Sequence, residues 1–151
     1  MYIVFLIASV FMVLLDFITK YIVIAYMDLN QTIPLINNIF HLTYVRNTGA
    51  AFSMLSGQRI FLILLPLLII AAILVFVIVK KPKNKLLLLS LSMIASGGIG
   101  NLIDRIRFGY VIDFFDFRLI NFPVFNVADI FVTVGAAIFI ILLLFSKEDI
   151  T

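Results

Sequence analysis

The stretch 60–79, IFLILLPLLIIAAILVFVIV, carries no ionisable or hydrogen-bonding side chain. A hydrocarbon layer about 30 Å thick needs about 20 apolar residues in helix, so this segment is predicted to cross a bilayer. Similar stretches run over 2–27, 86–103 and 127–145. The 151-residue chain is 64% hydrophobic and 13% charged, with a mean hydropathy of +1.25. A water-soluble domain carries about 25% charged residues. The expectation is a mainly α membrane protein, one domain over 1–151, built as a four-transmembrane-helix bundle.

The first stretch has no basic n-region, is longer than a signal h-region, and is interrupted by Asp16 and Lys20. It is therefore expected to be a retained span. Between the second and third spans lie Lys80, Lys81, Lys83 and Lys85 with no acid among them, which the positive-inside rule places in the cytoplasm. Both termini are then expected there too. The formal charge of +3 reflects lysines flanking apolar segments and carries no nucleic-acid signature. With no cysteine and one histidine, His41, thiol chemistry is excluded and a histidine metal site is not expected.

Alternation of four spans puts the connection from Asp28 to Arg59 on the same surface as the junction between spans three and four. Within that connection Phe40, Leu42 and Tyr44 alternate with His41 and Thr43, the period of a short strand. Asn47-Thr48-Gly49 supplies a turn. Phe114 to Phe125, aromatic and containing Asn121 and Pro123, reads as a further strand or a loop. A small extramembrane β-sheet on the outer face is expected.

Acids are rare in this chain, and an unpaired charge at membrane depth costs roughly 2.5 kcal/mol or more, so each is a functional candidate. Asp16 and Lys20, spaced i, i+4, share a helical face and can pair, with Lys20 reaching outward to the interface. A structural ion pair explains them equally well. Asn101, Asp104 and Arg105 close the third span behind Gly97, Gly98 and Gly100, which permit close approach. An interfacial helix end is the plain alternative. Ser92, Ser96 and Gly100 form a small-residue stripe for helix packing.

Asp129 follows Asn126 by three, the spacing of a capping box, so it could merely start a helix. Asp113, expected in a loop within the Val-Ile-Asp-Phe-Phe-Asp-Phe run, changes that reading. Two acids in one apolar setting split their affinities for a proton, one ionised and one protonated. Such a pair activates water and protonates a leaving amine. The helix start favours Asp129 as base, although coupled acids titrate together.

These blocks taken together resemble lipoprotein signal peptidase, the bacterial signal peptidase II family of membrane aspartyl proteases. They comprise Asp16 to Lys20, Arg46-Asn47-Thr48-Gly49-Ala50-Ala51-Phe52, Gly97 to Arg105, Val111 to Phe114, and Phe125 to Asp129. The resemblance implies Asp113 and Asp129 as the catalytic dyad. It implies Asn47, Gly97, Asn101, Asp104, Arg105 and Asn126 as substrate-binding or supporting residues, with Asp16 and Lys20 also supporting. It further implies a four-helix fold with a β-cradle, and removal of the signal peptide from diacylglyceryl-modified prolipoproteins just before the lipidated cysteine. No cofactor or metal is implied. The expected setting is the bacterial cytoplasmic (inner) membrane, with the active site toward the outer face and the protein monomeric in contact with lipid.

Two rivals make distinct predictions. A serine protease built on Ala95-Ser96-Gly97 needs a base at that depth, and His41 falls outside the spans. A transport subunit using Asp16, Lys20 and Asp104 needs polar residues at several depths, which the second span lacks.

Overall fold

The computed structural model describes residues 2–49, 54–55 and 57–145. In chain order it contains α1 (Tyr2–Tyr26), β1 (Thr32–Ile36), β2 (Phe40–Asn47), α2 (Arg59–Lys80), α3 (Lys85–Arg107), β3 (Val111–Phe117), a 3-10 turn (Arg118–Ile120) and α4 (Val127–Phe145). All four α-helices are long and apolar enough to span a membrane. The predicted spans agree closely except at the third, which continues through Arg107 and so carries Asp104 and Arg105 inside its last turn.

Helix α3 is the central element, packed against the other three. Its small residues permit this. Ser92 and Ser96 are fully buried, and the space beside Gly100 is filled by the Asp16 carboxylate and Ala128. The outer helices turn Phe11, Leu68, Ile78 and Leu144 outward. Exposed apolar surface on that scale suits lipid and no other solvent. At one end of the bundle Phe5, Ile73, Val77, Leu87, Leu88, Leu91 and Ala95 form a core cluster. That end is closed by Asn84, whose side chain accepts from the Leu86 and Leu87 amides and so starts α3.

At the other end a three-stranded antiparallel sheet, in the order β1-β2-β3, sits on the helices. Strand β1 was not anticipated. It contains Pro34 and is exposed along its length, so it lacks an alternating pattern and lies at an edge where proline is tolerated. Strand β3 begins at Val111, which places Asp113 in a strand and corrects the expectation of a loop. Strand alternation decides its direction. Ile112 and Phe114 pack with Val23 and Met27 of α1, Tyr44 of β2 and Val127 of α4, each buried side chain contributing roughly 1.5–3 kcal/mol. Asp113, between them, points the opposite way.

A register shift between Leu42 and Val45 pairs Val45 with Asp113 and Asn47 with Val111. Asn47 thereby becomes the diagonal neighbour of Asp113 on one sheet face. Beyond it the Gly49 amide donates to Asn47 Oδ1 at 2.9 Å, the turn expected there. The rest of that motif, Ala50 to Phe52, lies outside the described residues.

Candidate active site

Helix α4 opens with a reciprocal cap. The Asp129 amide donates to Asn126 Oδ1 at 2.9 Å, and the Asn126 amide donates to Asp129 Oδ2 at 3.1 Å. The capping reading of Asp129 is thus correct, yet it does not exhaust the residue. Its other oxygen, Oδ1, accepts from Asn101 Nδ2 at 2.7 Å. Because the Asn126 carbonyl oxygen is engaged by the cap, its Nδ2 must face away from the helix start. There it donates to Asp113 Oδ1 at 2.7 Å and to Asn101 Oδ1 at 3.0 Å. Asn47 Nδ2 donates to the remaining Asp113 oxygen at 2.9 Å. A single fully buried residue, Asn126, therefore touches both carboxylates, Asp113 through its side-chain amide and Asp129 through its backbone N–H.

The layer beneath is ionic. Lys20, 3% exposed, turns into the bundle and lies 2.8 Å from Asp16 Oδ2 and 2.9 Å from Asp104 Oδ2. This corrects the expectation that it reaches outward: two carboxylates inside the bundle outweigh the interface. Lys20 Nζ also donates to Asn101 Oδ1 at 3.0 Å. Flipping the Asn101 amide would set its NH2 against an ammonium and its oxygen against the Asp129 carboxylate, so the ion layer fixes which end faces the site. Asp16 Oδ1 accepts from the Ala128 amide at 2.9 Å, tying α1 to the start of α4. Asp104 Oδ2 accepts from the Ile112 amide at 3.3 Å, tying α3 to β3. Gly97 lies where a methyl group would meet the Ala128 carbonyl and Val132.

Both acids line one cavity of about 500 Å³, together with Asn47, Asn101, Arg105 and Thr133. Its walls are otherwise apolar, supplied by Val111, Phe125, Ile130 and Val134 among others. Arg105 Nη2 donates to the Gly49 carbonyl at 2.9 Å, holding the strand-end turn against α3. Burial, and then the neighbouring Asp129 charge, push the Asp113 carboxyl up to about 7, opposed by the amides of Asn47 and Asn126. A carboxylic acid that keeps its proton near neutrality beside a second carboxyl group is equipped for general acid–base hydrolysis.

Every candidate residue except Gly97 is thus joined in one bonded constellation, and Gly97 packs against its α4 arm. The sequence reading missed Arg59. Its Nη2 donates to the Arg105 and Ile106 carbonyls at 3.0 and 3.2 Å, closing the C-terminus of α3; a cation so distant in sequence gives no local sign of that role. Ser96 Oγ is 3.3 Å from Met12 Sδ and donates to the Met93 carbonyl, while His41 lies in β2 opposite Asp116. No serine–base pair arises from them. Among the described residues no cluster of His, Cys, Asp or Glu could hold a metal ion.

A family model described as signal peptidase (SPase) II matches residues 8–145. The lipoprotein signal peptidase of Caldanaerobacter subterraneus is 47% identical over 89% of this chain and 92% of its own length. That of Brevibacillus brevis is 44% identical over 91% of each chain. A bacterial membrane enzyme solved by the in meso method at 2.3 Å superposes with a TM-score of 0.89 at 32% identity, covering 98% of this chain and 94% of that one. A second, at 1.9 Å, gives 0.85 at 33% identity over 96% and 94%.

Proposed function

This chain belongs to the signal peptidase II family, and from that premise we propose that Asp113 and Asp129 are the catalytic pair of a membrane aspartic peptidase cutting prolipoproteins immediately before the lipidated cysteine. The observation that carries the assignment is the Asn126 contact to both carboxylates at the wall of one cavity. The signal segment enters laterally between helices while the acyl chains of the modified cysteine stay in lipid.

In the reaction, Asp129 takes a proton from a water molecule whose oxygen attacks the scissile carbonyl carbon. Asp113 gives its proton to the amide nitrogen as the C–N bond breaks. The products are the signal peptide carboxylic acid, which passes its proton to the released amine or to water, and the free amino terminus of the cysteine; proton return from Asp129 to Asp113 resets the pair. Arg105 and Asn47, facing the same cavity, hold the substrate backbone. Both acids come from one chain, so a single copy carries the complete pair, and a monomeric enzyme is the reading proposed.

Purified protein incubated with a lipidated precursor is expected to release a shortened product, and Asp113→Asn and Asp129→Asn to release none while inserting normally. Normal processing by a well-expressed Asp113→Asn protein would refute the pair.

The lysine-rich 80–85 loop supports a cytoplasmic location for that end, and so an outward-facing sheet and cavity. The chain has no cysteine, so single cysteines introduced at Lys83 and Leu119 report sidedness. A membrane-impermeant thiol reagent applied from outside should label only position 119.

A further inference from the structure

At the end of the bundle away from the sheet, a groove of about 250 Å³ runs between α1 and α3, both spanning helices. Lys85, Leu88, Leu89 and Ser92 stand at i, i+3, i+4 and i+7, so they form one stripe of α3. Val4, Phe5 and Ala8 face them from α1. Phe5 and Leu88 belong to the core cluster and are buried beneath the groove, whereas Val4 and Leu89 are exposed along its rim.

Of these residues only Lys85 and Ser92 have polar side chains, and they lie at different depths. Ser92 comes seven residues after Lys85, about 10 Å further along the helix at 1.5 Å per residue. It is fully buried, and its hydroxyl donates to the Leu89 carbonyl at 2.8 Å. Below its mouth the groove therefore offers hydrocarbon and no free donor.

Lys85 marks the mouth. It is the first residue of α3, where the positive end of the helix dipole disfavours a cation, and that first turn holds no acid. It is exposed, and among the described residues no carboxylate pairs with it. Lys80, Lys81 and Lys83 precede it and raise the local positive potential further. An anion beside Lys85 relieves both repulsions.

An occupant must match an unneutralised cation at the bilayer boundary and an apolar trough below it. A second helix, about 10 Å across, is too wide for this volume, and water finds too few polar partners in the trough. A phospholipid carries both parts in the right order. A zwitterionic headgroup would set its own cation against four lysines, so a net negative headgroup fits better. We propose that this groove is a discrete site for an anionic phospholipid of the leaflet that meets the 80–85 loop, with the phosphate at Lys85 and one acyl chain along Val4, Ala8 and Leu89. The site does not depend on which residues carry the reaction.

The test adds phosphatidylglycerol or phosphatidylcholine with identical chains to delipidated protein in neutral detergent. Bound lipid is counted by native mass spectrometry, and melting temperature is recorded alongside. The wild-type protein should hold one phosphatidylglycerol about fivefold more tightly than phosphatidylcholine, the effect of a single lysine at an anionic surface, and melt higher with it. Lys85→Gln should remove most of that preference, while Lys81→Gln and Lys83→Gln, outside the groove, keep it. Ala8→Leu should fill the trough and lose the tight lipid of either kind, its melting in detergent alone reporting that it folds. Val4→Trp, at the exposed rim, should obstruct the groove without disturbing the packed floor. No preference in the wild type, or equal losses in all three lysine variants, would overturn a discrete site in favour of diffuse attraction to the loop. Tight lipid retained in both groove-filling variants, or a melting shift reproduced by glycerol phosphate without acyl chains, would overturn it as well.

Discussion

The side-chain amide of Asn126 donates to Asp113 Oδ1 at 2.7 Å while its oxygen accepts the Asp129 amide at 2.9 Å. These two jobs can be separated by mutation. Asn126→Asp keeps the acceptor that starts α4 and replaces the donor facing Asp113 with an oxygen. Activity should fall about 100-fold, the scale of a lost catalytic alignment, and thermal unfolding should move down at neutral pH and recover toward acid pH, because the new buried carboxyl group faces Asp113. Asn126→Ala should additionally lower stability by about 1 kcal/mol through the lost cap. Equal activity in Asn126→Asp and the wild type would show that the donor to Asp113 is unimportant.

The Asp113 carboxyl, raised from 3.8 to about 7 chiefly by burial and then by Asp129, binds its proton more tightly folded than unfolded. Its contribution to stability is therefore complete below about pH 4 and declines as pH rises toward 7. Asn mimics the protonated acid, so the stability gained by Asp113→Asn should grow across that window and level off above it. Melting curves between pH 4 and 9 measure this; a gap independent of pH would contradict it. If Asp113 is the proton donor proposed above, wild-type cleavage should decline as pH rises through about 7, where its carboxyl group ionises.

Lys20 sits between Asp16 and Asp104 and fixes the Asn101 amide. Lys20→Met strands two buried carboxylates and should cost about 3 kcal/mol or more. Lys20→Met combined with Asp104→Asn restores the net charge of the layer and should recover much of that stability. Activity should stay low in the double variant, with the alkaline limb of the pH profile moved upward, because Lys20 also favours ionised Asp113. Full recovery of activity with stability would reduce Lys20 to a structural ion.

Neighbouring glycines of α3 should respond in opposite ways. A methyl at Gly97 meets the Ala128 carbonyl and the Val132 backbone, neither able to yield, whereas one at Gly98 meets only the mobile end of Ile70 at 3.3 Å. Gly97→Ala should lower stability by about 1–3 kcal/mol through overpacking and slow cleavage by displacing the start of α4. Gly98→Ala should do neither. Similar melting temperatures for both would invalidate the packing account.

How much of this was legible in the chain follows from the range of each interaction. The four spans declare themselves by continuous apolar runs. The Asn126–Asp129 cap and the Asp16–Lys20 pair are local patterns of three and four residues. What pattern alone could not supply was the inward turn of Lys20, since its deciding partners, Asp104 and Asn101, come from another helix. Strand β1 gave no period because it is exposed on both faces around Pro34. The placement of Asp113 depended on a register shift in a different strand, which no run of residues announces.

On the catalytic assignment proposed above, the Asn126 contact also means that the chemistry cannot precede assembly. Asp129 arrives with a helix and Asp113 with a strand, and the side-chain amide of Asn126 reaches Asp113 only when the sheet has docked on the bundle. A nascent chain still threading into the membrane holds two unrelated acids, so the cell acquires a protein-cutting blade only once the last helix is seated.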